Sequence, residues 1–226
     1  MNNSKYWTAL DGNKIPSSIK IDSSIQRFIK KNDKIIDIGC GSGKTILTLH
    51  KKGYLNIHGI DVNKNAIKAA QAKCNKQNNK LKNILKVGNV TRLPYNNSTF
   101  DCAITQAFWT TITTKTTRSK AIKEISRILK KNGTLYIADF KKNNHLKIYK
   151  ERYKKGLQNG HENGTFEVIN KKSKKIEYLA HHYTKKELFD FIKLGGFSRI
   201  DYYEDKLFNT KSGNQIYGFI LIVSKN

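Results

Sequence analysis

The sequence predicts an α/β fold built on a doubly wound, mostly parallel sheet with helices on both faces. Three observations lead to this prediction: short apolar runs alternate with amphipathic stretches, a glycine cluster follows the first run, and an acidic residue ends the second. Strands buried on both faces are apolar throughout, and strands that alternate with helices form parallel sheets. The length of 226 residues allows one domain, residues 1–226, with a small insertion.

The first part of the chain keeps a regular rhythm. Residues 1–32 predict an N-terminal helical arm or lid, because their isoleucines are spaced for one helix face. Parallel strands are predicted over residues 34–38, 56–61, 84–87, 100–105 and 135–139. Helices are predicted between them over residues 46–49, 66–72 and 117–131, with Asn132 and Gly133 as the stop signal of the last helix.

The rhythm breaks in a basic segment, residues 141–186, which holds 13 Lys or Arg and 4 Glu with few apolar residues. We predict that this segment is an insertion before the sixth strand that caps the substrate. Regular structure returns at Thr184 and Glu187, which have the spacing of a capping box, and the helix that follows ends at Gly195 and Gly196. The last two strands are predicted over residues 197–203 and 216–223.

The net charge of +26 leaves two interpretations open. A strongly basic chain is typical of proteins that bind nucleic acid. However, the chain has 37 Lys and only 6 Arg, and Arg is the residue that makes bidentate contacts with phosphates and guanine. Lysine has AT-rich codons, so an AT-rich genome produces the same excess whatever the function.

Cysteine content and hydropathy exclude several classes of protein. Three cysteines (Cys40, Cys74 and Cys102) cannot all pair and include no Cys-x-x-Cys, so neither a disulfide scaffold nor a cysteine zinc cluster organises the fold. The N-terminal residues show no apolar signal region, and the longest apolar run, residues 217–223, is too short to cross a membrane. We expect a soluble, cytoplasmic protein without a membrane partner.

The glycine cluster after the first strand indicates a cofactor site. Glycine is needed where the backbone has positive φ or approaches a ligand closely, and Asp61 at the end of the next strand can accept hydrogen bonds from ribose hydroxyls. A phosphate-binding NTPase loop requires glycine at Ile38, and a dinucleotide site requires glycine at Lys44, so both motifs fail. Asp37 would repel a pyrophosphate. It would favour a cofactor with an ammonium and no phosphate, which describes S-adenosylmethionine.

Four stretches, in order, carry a resemblance to a known family. They read IIDIGCGSGKTILTL, GIDVN, VGNVTRLPYNNSTFDCAIT and AIKEISRILKKNGTLYIADF, and they extend over about residues 33–140. The set resembles the motifs of class I S-adenosylmethionine-dependent methyltransferases, in particular the small "type 11" family. The resemblance implies a Rossmann-like sheet of seven strands in which the last strand is antiparallel, and it implies methyl transfer from S-adenosylmethionine, with S-adenosylhomocysteine as the product.

Position by position, the resemblance also implies roles for the loop residues. Asp37, Gly39, Gly41 and Gly43 would hold the amino-acid end of the cofactor, and Gln106 would face the methyl and amino-acid region.

The nucleoside end follows from the same resemblance. Asp61 would bind the ribose, with Val62 packing on the adenine. Asn89 stands where the family usually has an aspartate that accepts from the adenine amine, and its amide oxygen can still accept. Val90 would lie beside the purine.

The catalytic residues are unknown at this stage. Methyl transfer mainly requires proximity, alignment and exclusion of water, and a base is needed only when the acceptor carries a proton. Five residues are candidates for the acceptor pocket: Trp7, Phe108, Trp109, His181 and His182. We predict no metal site, since adjacent histidines cannot easily share one ion.

Three functions remain open. The first is methylation of a small-molecule acceptor, with residues 141–186 as the substrate cap. The second is methylation of RNA, in particular tRNA, with the same segment as a basic contact surface. The third is a regulator that binds the cofactor without catalysis. The fourth strand is not followed by an Asp/Asn-Pro-Pro-aromatic loop, and the chain has no Pro-Cys nucleophile, which argues against enzymes that methylate exocyclic adenine nitrogens or cytosine carbon 5.

Overall fold

A seven-stranded sheet organises the protein in the computed structural model, which describes residues 3–13, 19–77, 84–170, 172–209 and 215–226. The strands are β1 (Ile35–Ile38), β2 (Ile57–Asp61), β3 (Leu85–Val87), β4 (Phe100–Gln106), β5 (Leu129–Phe140), β8 (Phe197–Asn209) and β9 (Gln215–Lys225). Their order is β3-β2-β1-β4-β5-β9-β8. All neighbouring pairs are parallel except those formed by β9, which is antiparallel to both β5 and β8. The predicted mostly parallel sheet with an antiparallel last strand is therefore confirmed.

Two hydrophobic clusters, one on each side of the sheet, form the core. On one face Ile35 packs with residues of α2 (Lys44–Lys51) and α3 (Lys64–Gln77). On the other, Ile36 packs with residues of α4 (Lys115–Ile128) and α6 (Lys185–Leu194). Consecutive strand residues point to opposite faces, so an apolar run is buried on both sides. This arrangement confirms helices on both faces.

Further short elements lie at the N-terminus and after β4. Helix α1 (Asn3–Ala9) and a 3₁₀ turn (Ser23–Arg27) form the N-terminal part, so residues 1–32 are not one continuous helical arm, and residues 1–2 and 14–18 lie outside the described residues. A second 3₁₀ turn (Trp109–Thr111) follows β4. None of the helices that the structure describes is long and apolar enough to cross a membrane.

The predicted helix end at Asn132 and Gly133 is wrong. Helix α4 ends at Ile128, and strand β5 begins at the next residue, Leu129. Asn132 has a φ of 58°, but it lies in a bulge: Phe100 pairs with Leu129, whereas Cys102 pairs with Thr134. Left-handed asparagine followed by glycine serves a strand bulge as well as a helix end, because both need positive φ.

The basic segment 141–186 adds ordered structure outside the main sheet. It contains α5 (Lys147–Gln158) and an antiparallel pair formed by β6 (Thr165–Ile169) and β7 (Ile176–His181). Lys171, between these two strands in sequence, lies outside the described residues. At its end, the Thr184 side chain accepts a hydrogen bond from the Glu187 N–H, which confirms the predicted helix start.

A buried arginine joins this segment to the core. Arg118 of α4 is only 4% exposed. Its guanidinium forms ion pairs with Glu162, before β6, and with Glu187 of α6, and it donates to the Ile112 carbonyl oxygen at 3.1 Å. His181 contacts the same Glu187 carboxylate at 3.0 Å. One cation therefore holds together three parts of the chain that are distant in sequence.

Loss of this cation should destabilise the fold. We expect Arg118→Met to lower the free energy of unfolding by about 2–3 kcal/mol, less than for a fully buried pair because both acids are partly exposed. Urea unfolding measures the effect. The control is Lys186→Met, which removes an exposed pair with Asp190 and should leave the urea midpoint unchanged. Equal shifts in the two variants would contradict the structural role of Arg118.

Candidate functional site

A cavity of about 530 Å³ opens at the carboxyl ends of the parallel strands, where ligands bind in open α/β sheets. Its walls come from the ends of β1 to β4, from the segment between β4 and α4, and from α1. The lining residues of the first group are Ile38, Gly39, Ile60, Asp61, Val62, Gly88, Asn89, Val90 and Gln106. Those of the second group are Asn3, Ser4, Trp7, Ala107, Phe108, Thr111, Ile112, Thr113, Thr114 and Thr117. We call these the strand half and the threonine half of the cavity.

The glycine loop has the backbone that only glycine adopts easily. Gly39, Gly41 and Gly43 have φ values of 74°, 51° and 79°. At Gly39 an added Cβ would lie 2.5 Å from the ring of Phe108, so this glycine is required both by its φ and by the close approach of the aromatic wall. The loop turns sharply from β1 into α2. Gly39 lines the cavity, whereas Gly41 and Gly43 are not among its lining residues.

Asp61 connects the loop to the end of β2. Its Oδ2 accepts a hydrogen bond from Gly41 N at 2.9 Å, and its Oδ1 accepts one from Asn63 N at 2.8 Å. Burial raises the pKa of Asp61, although these backbone N–H groups favour the charged form. The carboxylate lines the cavity and is the only charged side chain among the lining residues.

Asp37 lies behind the loop and is only 3% exposed, and it is not among the cavity-lining residues. Burial and the neighbouring Asp61 carboxylate raise the pKa of Asp37 to about 8. Among the described residues, no Lys, Arg or His forms an ion pair with either acid. The site therefore holds two neighbouring acids, and no basic side chain of the described residues pairs with either of them.

The other predicted strand-end residues meet at the same cavity. Val62, Asn89, Val90 and Gln106 all line it. The amide oxygen of Asn89 already accepts from Thr91 N and from Thr91 Oγ1, each at 3.0 Å. An amide oxygen has two lone pairs, so a ligand could bind this oxygen only at the expense of these bonds.

Gln106 is fixed by two elements. Its Oε1 accepts from Thr45 Oγ1 at 2.6 Å, and its Nε2 is 3.4 Å from the Ile19 carbonyl oxygen. The side chain therefore joins the start of α2 to the segment before the first 3₁₀ turn, at the boundary between the strand half and the threonine half.

The structure separates the five candidates for the acceptor pocket. Trp7 and Phe108 line the cavity. Trp109 does not: its side chain is fully buried, donates from Nε1 to Thr105 Oγ1 at 3.0 Å, and packs edge-on against Phe191. Trp109 therefore belongs to the core, and its placement in the acceptor pocket is corrected.

The two histidines also lie away from the cavity. His182 is buried among aromatic rings of α5 and β6, and its Nδ1 is 2.8 Å from the Tyr153 hydroxyl. Burial, with a smaller effect of His181, lowers the pKa of His182 to about 3. His181 contacts Thr165 Oγ1 at 2.7 Å and Glu187. Neither histidine reaches the cavity as a base, since both are held by the inserted segment.

His181, Glu162 and Glu187 also place three potential metal ligands within 4.8 Å of one another. The guanidinium of Arg118 lies among them and pairs with both carboxylates, so a cation already occupies this position in the fold.

Sequence reasoning missed the threonine half. Thr111, Thr113, Thr114 and Thr117 all line the cavity, and their signal was the run TTITTKTT, which begins four residues after the end of β4. Asn3 was missed as well. Its amide donates to the carbonyl oxygens of Thr111 at 2.9 Å and Leu179 at 2.8 Å, and it accepts from Leu179 N.

Helix α1 is thus attached to the cavity from two sides. Besides the Asn3 contacts, Asn63 donates to the carbonyl oxygens of Trp7 at 2.6 Å and Leu10 at 3.0 Å. Trp7 packs against Tyr178 of β7, and its indole Nε1 is buried without a hydrogen-bond partner among the described residues. That donor remains available to an acceptor atom of a ligand.

Comparison with known proteins assigns the chain to a family. A family model described as a methyltransferase domain matches residues 29–196, which include the glycine loop and Asp61. The chain belongs to this methyltransferase family. An S-adenosylmethionine-dependent methyltransferase of Methanosarcina mazei has a similar crystal structure, with a TM-score of 0.85 and 37% identity over 92% of this chain and 99% of that chain. The predicted class I methyltransferase fold is therefore confirmed.

Two curated relatives match with lower identity. A ubiquinone/menaquinone biosynthesis C-methyltransferase of Campylobacter jejuni is 27% identical over 77% of this chain and 74% of its own length. An uncharacterized protein of Haemophilus influenzae is 31% identical over 48% of this chain, and the match spans 43% of that protein. The chain thus spans less than half of the length of the Haemophilus relative.

The contact between Gly39 and Phe108 can be tested against a glycine of similar backbone. We expect Gly39→Ala to lower the free energy of unfolding by at least about 1 kcal/mol more than Gly160→Ala. Both positions have similar positive φ, 74° and 77°, but a Cβ at Gly160 would meet no atom within 4 Å. Urea unfolding of the two variants measures the difference. Equal losses would show that Phe108 does not pack tightly on the loop.

Proposed function

We propose that this methyltransferase uses S-adenosylmethionine to methylate a small-molecule acceptor. The observation that carries the proposal is the cavity itself. It joins the glycine loop and the Asp61 carboxylate to a second half walled by α1, Phe108 and threonines. The strand half fits a nucleoside with a cationic amino-acid group, and the threonine half leaves space for an acceptor beside it.

The residues of the strand half have the chemistry that this cofactor requires. Asp61 would accept from the ribose hydroxyls, and Val62 and Val90 would pack on the two sides of the adenine. Asn89 would accept from the adenine amine, and Gln106 would face the methyl and amino-acid region. Gly39, Gly41 and Gly43 allow the backbone to approach the amino-acid end without a Cβ in the way.

Catalysis then depends on position and on exclusion of water. S-adenosylmethionine supplies a methyl group already activated by its sulfonium. The protein would hold the acceptor in line with that methyl through the walls formed by Trp7, Phe108 and the threonines. With α1 attached by Asn3 and Asn63, the acceptor would react in a site shielded from solvent.

Asp37 would give the site its selectivity for a cationic cofactor. A buried carboxyl with a pKa near 8 is protonated in the ligand-free protein at neutral pH. An ammonium and a sulfonium nearby favour the charged form, so cofactor binding should drive off a proton. A pyrophosphate would oppose the same ionisation, which disfavours ATP and NAD.

This linkage gives a direct test at Asp37. In calorimetry at pH 7, S-adenosylmethionine should bind with release of a proton, seen as a dependence of the binding enthalpy on buffer ionisation. ATP and NAD should not bind comparably. Asp37→Asn should abolish proton release and weaken binding at least about tenfold, whereas Asp190→Asn on the surface should change neither.

Although Asp37→Asn should weaken cofactor binding, it should increase the stability of the ligand-free protein. Since the folded-state pKa of Asp37 lies above 3.8, the folded state binds more protons, and stability falls as pH rises from about 4 to 8. Asp37→Asn removes this cost, so it should stabilise the ligand-free protein at pH 8 by at least about 1 kcal/mol. A variant that is less stable and binds normally would contradict the assignment of Asp37 to the cofactor site.

The class of acceptor is tested by label transfer from S-adenosylmethionine into a metabolite extract and into total RNA, side by side. We expect label in the metabolite extract. Exposed lysines in the turn between β6 and β7 provide the matching variant, Lys172, Lys174 and Lys175 to Gln. This variant should weaken RNA retention and leave turnover within about threefold. For each phosphate contact that it removes, the slope of log affinity against log salt concentration should become less steep by about 0.7. Label in RNA, with turnover that collapses in this variant and recovers at low salt, would favour an RNA substrate instead.

A further inference from the structure

We propose that the acceptor is an amine that binds as its uncharged free base, with an apolar or aromatic body. The inference rests on the proposed function and concerns the threonine half of the cavity. That half offers hydroxyl groups, one amide and the rings of Trp7 and Phe108, and none of its lining residues carries a charge.

The charged side chains on the surrounding elements are exposed to solvent or bound to other side chains. On α4, Lys115 is exposed and Arg118 is bound to Glu162 and Glu187. On α1, Lys5 is exposed. On β7, Glu177 accepts a hydrogen bond from Asn170. None of them is among the cavity-lining residues, so the described residues give an acceptor no ion-pair partner in this half.

This arrangement rejects an anionic acceptor. Moving a carboxylate, phosphate or thiolate into the threonine half, whose walls supply no cation, costs several kcal/mol in desolvation. The acids at the strand ends add repulsion, since Asp61 lines the cavity and Asp37 lies behind the loop. A phenol, thiol or carboxylic acid would therefore stay protonated in the cavity and be a poor nucleophile.

An amine meets the opposite conditions. Desolvation lowers the pKa of an ammonium, so the uncharged threonine half of the cavity selects the free base, whose lone pair is the nucleophile. No protein base is then required, which agrees with the placement of His181 and His182 away from the cavity. The methyl-transfer step also keeps the charge of the site constant, because a positive charge leaves sulfur and appears on nitrogen.

The reaction balances without a further reactant. The nitrogen lone pair forms the new N–C bond, and the electron pair of the C–S bond remains on the sulfur of S-adenosylhomocysteine. The proton that balances the reaction is released to water when the substrate ammonium binds as its free base, and the product leaves as an ammonium. Asp61, and Asp37 once ionised, can stabilise the positive charge in both the reactant and the product state.

Two probes of similar shape and opposite charge test the inference. Phenethylamine and 3-phenylpropanoate are titrated into the protein saturated with sinefungin, an unreactive analogue with an ammonium in place of the sulfonium. We expect phenethylamine to bind about tenfold more tightly at pH 8 than at pH 7, because the free-base fraction of an amine with a pKa of about 10 rises tenfold. 3-Phenylpropanoate should not bind. With methyl-labelled S-adenosylmethionine at pH 9, label should appear on the amine nitrogen.

A charge placed in the threonine half provides the matched variant. Thr113→Lys should reverse the preference, so that 3-phenylpropanoate binds and phenethylamine is no longer methylated. Thr116→Lys adds the same charge at an exposed neighbour outside the cavity lining and should behave like the wild type. An unchanged preference in Thr113→Lys would overturn the inference.

The remaining outcomes are also decisive. Binding of phenethylamine that does not depend on pH, absence of its binding at pH 9, equal binding of the acid, or an amine that binds and stays unlabelled would each overturn the inference. Label on carbon, oxygen or sulfur of a metabolite, in the extract experiment, would overturn it as well. Failure of sinefungin and S-adenosylmethionine to bind would instead refute the proposed function, so the two failures are distinguishable.

Discussion

Two neighbouring acids without a basic partner among the described residues, at the carboxyl ends of β1 and β2, are the constraint on which the candidate site depends. Asp61 stays in place because the N–H groups of Gly41 and Asn63 hold its two oxygens. Those contacts in turn require the glycine backbone, since the chain must turn within a few residues from β1 to α2. Asp37 is buried behind the same loop. A loop that is shaped around two acids, without a basic side chain of its own to neutralise them, is suited to a cationic ligand.

Where the inserted segment meets α4 and α6, the acidic side chains are paired with a basic one. Glu162 and Glu187 are neutralised within the protein by Arg118, and His181 completes the cluster. Through the Ile112 carbonyl oxygen, Arg118 also fixes the segment that carries the threonines of the cavity. The acids that support the cavity wall, Glu162 and Glu187, are therefore paired with a cation. No ion pair involves Asp61 or Asp37 among the described residues, at the place where a ligand would bind. The inserted segment also supplies β7, to which α1 is attached through Asn3. The threonine half of the cavity therefore depends on the inserted segment both through Arg118 and through α1.

The sequence was sufficient for the sheet and for the strand half of the cavity, and insufficient for the threonine half. Apolar runs locate β1 to β4 within one residue, although β5 begins six residues earlier and β8 ends six residues later than predicted. Strand ends meet by topology, which places Asp61 beside the glycine loop. Asn89 and Gln106 were expected at the same place because of the family resemblance. Phe108 and Trp109 show the limit. Ala107 has a φ of 46°, and this turn directs one ring against Gly39 and the next into the core. No local pattern distinguishes two adjacent aromatic residues in this way. His181 and His182 were placed wrongly for a related reason: their surroundings come from α5, β6 and α6, which meet only in the folded chain.

The lysine excess and the acceptor site are physically separate matters. Exposed lysines act through solvent, where a charge is screened within about 8 Å at physiological ionic strength. The threonine half is lined by uncharged side chains, including those of α1, so the preference proposed for it would be set by desolvation over a few ångströms and not by the net charge of +26. A basic surface can collect anions without bringing them to the methyl donor, because an anion that enters the cavity gives up its counter-ions and meets Asp61. The net charge therefore does not identify the acceptor. The proposal for the acceptor rests on the residues that line the cavity.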